Sequence, residues 1–291
     1  MADQAARRTL ATDARARLFE SVDGVLGERL RTEPGTRPDI YADGIVVSSF
    51  GLLERCARRA AVPADDFVDT VGTARRRVGL AALRQLGDDA SSATHLAAAV
   101  DEVIEQRTSL SRGLADWIEG LDRAARAAVA AAAFAWAAAL ARLVGPSPDV
   151  RWADASSSSH IDVPGRLVRV TASHDAVLGG VRSGERLLLV ADGPGGARDR
   201  LRAGYLALVR ALGTQHAPTR VTLAAPSRGE LERIDVDEHL LALAVDRVAE
   251  HVAARALRDA APATPGRWCG HCHLLELCEP GRVHLGAATV G

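Results

Sequence analysis

Apolar residues recur at helical spacing through most of the first half of the chain. From Asp13 to Leu30 they alternate with arginine and glutamate in the three-to-four pattern of one buried helix face, and Pro34, Gly35 and Pro38 end the run. Ile45, Val46 and Val47 then fit a short strand or the entry to the next helix. Ser48 or Ser49 is placed to cap a helix through Arg59, because a hydroxyl accepts the unpaired amides of a first turn. The same periodicity predicts helices from Phe67 to Leu86, Ala93 to Arg107 and Leu114 to Val144. The alanine block near Ala127 predicts a packed helix whose small side chains let its neighbours come close.

After Gly145 and Pro146 the period changes. Arg166 to Thr171, Arg186 to Val190 and Arg220 to Ala225 alternate or run apolar between glycine-rich turns, which predicts strands. Arg198 to Leu212 and Glu238 to Ala261 return to helical spacing. Ser156 to Ser159 is predicted as a solvated loop, and the Asp192-Gly-Pro-Gly-Gly stretch as a strand-to-helix turn. Helices first, then strands interleaved with a helix, imply an α/β core wrapped by a helical insertion.

Composition narrows the class. The chain has 291 residues, 47% hydrophobic and 25% charged, which excludes a wholly disordered or fibrous protein. Its formal net charge is −1, so no global field draws it to nucleic acid or anionic lipid. All 36 basic residues are arginine. The longest uncharged apolar run, Ala127 to Ala141, is short of the ~20 residues of a spanning helix, and the N-terminus has no signal-like apolar segment. These features, with sparse cysteine, predict a cytoplasmic protein without a membrane partner.

Three of the 4 cysteines fall close together as C-x2-C-x5-C, at Cys269, Cys272 and Cys278, while Cys56 lies far upstream. Clustered thiols in a reducing compartment point to a metal: a [4Fe–4S] cluster, or zinc with His271 or His273 as a rival ligand. Either centre would clasp the helix of Cys56 to the C-terminal tail, and a loop that long loses much unfolded-state freedom when closed.

With Ser48 to Cys56 as the early segment and the three late cysteines as the closing one, the chain resembles the iron–sulfur branch of the PD-(D/E)XK nuclease superfamily, which includes AddB-type and RecB-like proteins. The resemblance implies a restriction-endonuclease-like mixed sheet core with a large helical insertion and a C-terminal Fe–S clasp. It divides the chain into an N-terminal helical segment, 1–44, and a nuclease-like domain, 45–281, with the insertion at about 88–148 and the cluster-binding tail at 267–281. It assigns Cys56, Cys269, Cys272 and Cys278 to the cluster. It also implies two carboxylates for magnesium or manganese and a lysine to orient the attacking water.

The segment Val170 to Gly179 resembles the strand of the first carboxylate, which makes that residue Asp175, and Asp192 matches the second. Pro194 then falls where the family has lysine; in the register shifted by one, Ala191 stands at the aspartate and Gly193 at the lysine, and the chain has no lysine elsewhere. Gly72 to Arg76 resembles an early helix, with Arg76 where the family has histidine. Tyr205 matches a later helix, but Leu201 replaces the glutamine four positions before it. Arginine is a poor substitute for the lysine, since its charge is spread over a planar fork.

The expectation is therefore a nuclease-like protein without catalysis, binding DNA or acting as a scaffold in repair, recombination or defence. Two alternatives stand beside it: an active metal-dependent DNA exonuclease using Asp175 and Asp192, and a cluster-based redox or regulatory module acting through a protein partner. His174 beside Asp175 is either a general base or an ordinary strand histidine. Candidate phosphate contacts are Arg55, Arg58 and Arg59, then Arg75, Arg76 and Arg77, then Arg198, Arg200 and Arg202. Few aromatic residues are present to stack on bases.

Overall fold

The computed structural model describes residues 2–32, 45–52, 54, 56–61, 69–87, 92–145, 150–152, 158–163, 168–179, 184–191, 196–257 and 261–288. The fold is mixed α/β. Its centre is a five-stranded sheet in the order β2 (Val150–Trp152), β5 (Ala176–Leu178), β6 (Arg186–Val190), β7 (Arg220–Ala225) and β8 (Glu230–Asp235). Helix α8 (Ala197–Thr214) makes the crossover that lets β6 and β7 run parallel, and the other pairs in this sheet are antiparallel. A second sheet has the order β1 (Ile45–Ser48), β4 (Val168–Ser173) and β3 (Ser158–Val163), with β1 parallel to β4.

Strand β6 shows why the core forms where it does. Leu187 and Leu189 enter one hydrophobic cluster and Leu188 and Val190 the other, so an unbroken apolar run is what a strand covered on both faces requires. The first cluster joins both sheets to α8, to α1 (Ala2–Thr32) through Leu18, Val22 and Leu26, and to α9 (Glu238–Leu257) through Val245, Val248 and Val252. The second cluster is a helical lobe of α4 (Val71–Leu86), α5 (Ala93–Gln106), α6 (Arg112–Glu119) and α7 (Arg123–Val144).

Helix α7 has the length and composition of a membrane span. In the fold it buries Val129, Ala133, Trp136, Ala137 and Leu140 in the helical lobe. The close approach on this helix is permitted by Gly79 of α4, a residue outside the alanine block: a Cβ there would lie 2.8 Å from Trp136 Cε3 and 3.2 Å from the Ala133 carbonyl oxygen.

Several boundaries differ from the periodicity for local reasons. The single helix expected from Leu114 to Val144 is two, because α6 ends at Gly120 and Asp122 restarts the chain, its carboxylate accepting the Ala125 amide at 2.7 Å. The helix expected through Arg59 is two short pieces, α2 (Ser49–Leu52) and α3 (Ala57–Ala61). Ser48 Oγ does accept the Gly51 amide, at 3.1 Å. Ser158 and Ser159 begin β3 rather than belonging to a loop. The chain closes with two 3-10 turns, Arg267–His271 and Leu275–Leu277, and with α10 (Glu279–Ala288).

Candidate functional site

Strand β4 leaves the three-stranded sheet through Ser173, His174 and Asp175 and re-enters the five-stranded one as β5. The Asp175 amide donates to the Leu188 carbonyl at 3.0 Å, which holds the residue at the sheet junction. Its side chain is buried: the residue is 3% exposed. Opposite it stands α4, begun by a reciprocal cap in which Thr70 Oγ1 accepts the Thr73 amide and Thr73 Oγ1 accepts the Thr70 amide. Thr73, Arg76, Arg77 and Arg84 fall at helical spacing, so one stripe of α4 faces the junction.

Arg76 reaches the carboxylate. Its Nη2 lies 2.7 Å from Asp175 Oδ1 and 2.7 Å from Oδ2. The Val190 amide donates to Oδ2, also at 2.7 Å. Arg202 of α8 completes this floor by donating to the Val190 carbonyl at 3.3 Å, so the backbone of one residue, Val190, contacts both the carboxylate and a second guanidinium. Burial, and then the neighbouring Arg76, push the Arg202 guanidinium below the ordinary arginine range, although Asp175 and Asp199 pull the other way.

These groups line a cavity of about 430 Å³. The turn between α5 and α6 supplies Ser109 and Ser111, and Arg77 donates to Ser111 Oγ at 3.0 Å. Four arginines line the cavity, Arg76, Arg77, Arg84 and Arg202. Among the described lining residues Asp175 is the sole carboxylate. His174 is on the wall, half-buried. The arrangement suits an anion.

It does not suit a divalent cation. A metal on Asp175 would have to share the two carboxylate oxygens with the Arg76 guanidinium, and it would stand close to that fixed positive charge. A +2 ion ~4 Å from a guanidinium is repelled by roughly 8 kcal/mol at an effective dielectric near 20. The second expected metal carboxylate, Asp192, lies outside the described residues, as do Gly193 and Pro194.

The expected iron–sulfur or zinc centre is corrected by the structure. Among the described residues no group of three or more His, Cys, Asp or Glu side chains is placed to hold a metal ion, and all four cysteines are free thiols. The two ends of the chain do meet, with the Arg58 amide on the Pro262 carbonyl at 3.2 Å and Arg58 Nε on the Ala261 carbonyl at 3.0 Å. The thiols in that contact accept backbone amides. Cys56 Sγ accepts the Thr264 amide at 3.5 Å, and Cys269 Sγ accepts the Gly266 amide at 3.4 Å. Cys278 is buried against Gly281, and Cys272 is only half-buried. Short spacing in the chain has produced a packed turn with buried sulfur at Cys269 and Cys278, in place of the expected iron–sulfur, metal-binding cluster.

The remaining candidate arginines are divided. Arg58 is used in the contact with the tail, and Arg59 pairs with Glu54 at 3.3 Å. Arg55 lies outside the described residues. Arg75 is half-buried on α4 but does not line the cavity with Arg76 and Arg77. Arg200 pairs with Glu232 at 3.1 Å, whereas Arg202 turns to the cavity. Arg84, absent from the sequence candidates, lies two helical turns beyond Arg77. That spacing was the signal for it. Comparison with models of known protein families, with curated proteins and with solved structures finds no match.

Proposed function

We propose that this chain is a nuclease-like protein with a silenced catalytic centre, which holds DNA by its phosphates and serves as a binding or scaffold component in repair, recombination or defence. The observation that carries the reading is the Arg76–Asp175 pair. The residue that resembles the first metal carboxylate of the nuclease family accepts a guanidinium from the position where the family has histidine, at 2.7 Å on both oxygens. The chain has no lysine to orient a water there. What surrounds the pair is cationic, and arginine forks match phosphate oxygens.

Titration of fluorescent single- and double-stranded DNA into the protein tests this. Binding should weaken steeply with salt, because each phosphate contact releases counterions. No cleavage should follow incubation with manganese. Asp175→Asn removes the negative charge from the cavity wall, so it should bind DNA at least as tightly as the wild type, while Arg202→Met should bind about tenfold more weakly. Cleavage by the wild type that Asp175→Asn abolishes would establish the active-exonuclease alternative instead.

A further inference from the structure

The C-terminal segment has little hydrophobic core of its own. From Ala261 onward the buried apolar residues among those described are Ala261, Cys269 and Cys278, and Ala261 packs only in a small cluster with Ala254 and Ala57. The 3-10 turns are held by short-range bonds: the Cys272 amide donates to the Cys269 carbonyl at 3.1 Å, Leu275 to Cys272 at 3.0 Å and Cys278 to Leu275 at 3.1 Å. These turns bring two sulfur atoms to Gly281 of α10. Cys278 Sγ lies 3.4 Å, and Cys269 Sγ 3.6 Å, from the point that a Cβ of Gly281 would occupy, with Leu275 Cδ1 at 3.4 Å from the same point. With no side chain at Gly281, both sulfurs border one space. The other two thiols are placed differently, since Cys272 is half-buried and Cys56 Sγ accepts the Thr264 amide. A small segment with so little apolar burial is of the kind that a covalent cross-link holds.

We infer that Cys269 and Cys278 are a modification site, a dithiol that hydrogen peroxide closes to a disulfide; the inference is independent of the DNA-binding reading above. The chemistry runs in two steps. One thiol sulfur takes an oxygen atom from the peroxide and becomes a sulfenic acid, and the rest of the peroxide leaves as water. The second thiol loses its proton and attacks that sulfur, the S–S bond forms, and the sulfenic oxygen leaves as a second water. Two sulfurs are oxidised and one peroxide is reduced. The bond needs sulfur atoms about 2 Å apart, and side-chain rotation into the space at Gly281 supplies that approach. In a reducing compartment a dithiol of this kind stays open until oxidant rises, and small thiols reopen it. Closure braces the tail beside the place where the Arg58 amide and guanidinium bind the Pro262 and Ala261 carbonyls.

The test treats the reduced full chain with hydrogen peroxide, alkylates the remaining thiols and reads the intact mass. Two of the 4 thiols should escape alkylation, with a loss of about 2 Da before alkylation, and dithiothreitol should restore both. Glu276 lies between Cys272 and Cys278, so cleavage after glutamate leaves Cys278 joined to the earlier turn only through the disulfide. That linked peptide pair should persist in Cys272→Ser and vanish in Cys269→Ser, and circular dichroism checks that each variant is folded. In the wild type, fragmentation of the linked peptides should place the bond on Cys269 without recourse to any variant. A bond from Cys278 to Cys272 or Cys56 would overturn the assignment. So would oxidised wild type in which all 4 thiols are still alkylated, or in which sulfinic acid accumulates with no loss of mass.

Discussion

Removing Arg76 isolates the physics on which the silenced-site reading depends. The Asp175 side chain is 5% exposed and that of Arg76 is 32% exposed, so the two ends of the pair have unequal access to water. In Arg76→Ala the carboxylate keeps the Val190 amide but loses its charged partner inside the protein. Stranding one member of a buried pair costs about 3 kcal/mol or more. In Asp175→Asn the group that loses its carboxylate is a guanidinium a third open to solvent, and the amide oxygen still accepts from Val190. That loss should be smaller, about 1–2 kcal/mol. Arg76→Met combined with Asp175→Asn should recover part of the cost, with a coupling of about 2 kcal/mol in a double-mutant cycle. Urea denaturation at neutral pH reads all three. Arg76→Ala within about 0.5 kcal/mol of wild type, or an Asp175→Asn cost larger than that of Arg76→Ala, would show that the pair is not the buried ion pair described here.

Other consequences are checked by the same unfolding measurements. Gly79→Ala gains up to about 1 kcal/mol of helix propensity, but its Cβ would meet Trp136 at 2.8 Å, so a net loss of about 1–2 kcal/mol is expected and a stabilised protein would refute the close packing of α4 on α7. Tyr205→Phe should cost about 1–3 kcal/mol, because the hydroxyl donates to the Val47 carbonyl at 2.7 Å and accepts the Thr171 amide at 3.0 Å, knitting the β1–β4 pair from α8. His251 is buried, and burial first, then Arg255 and Arg247, lower its pKa from 6.5 to about 4. The folded protein therefore binds fewer protons at this site than the unfolded chain, so its contribution is present above pH 6.5 and is lost as the pH falls toward 4. The loss is about 3 kcal/mol across that window. Compared with wild type, His251→Gln should show a pH–stability slope shallower by about one proton between these limits, and parallel profiles would refute the assignment.

How much of this was legible in the sequence depends on what each signal measures. The run Arg186 to Val190 was recognisable as a strand because both of its faces are covered, so hydrophobicity alone marks it. Strand β8 was not, because Glu230–Asp235 lies at an edge with most of its side chains exposed, and its pairing with β7 is a backbone property. Strand β5 has only 3 residues, too few to show a period. The halves of the site were each visible, Asp175 by resemblance and Arg76 among the arginines. Their meeting was not, since they stand 99 positions apart in the chain. The cysteines show the converse, for tight spacing reported chain proximity without fixing where the sulfur lone pairs point.

Net charge misled for a related reason. A chain near neutrality does not advertise an anion site, yet the sum conceals how the charges are partitioned. Several carboxylates sit in exposed pairs away from the cavity, including Asp235 with Arg220, Glu230 with Arg228, Asp162 with Arg169 and Glu232 with Arg200. Such pairs contribute little to stability, but each removes a carboxylate from competition elsewhere. Among the described residues that line the cavity, the α4 stripe and Arg202 meet one carboxylate, Asp175, and Arg76 holds it on both oxygens. Because every cation here is arginine, the excess is delivered as planar forks that are charged at any physiological pH. A local concentration of positive charge on a neutral protein follows from where the acids are placed.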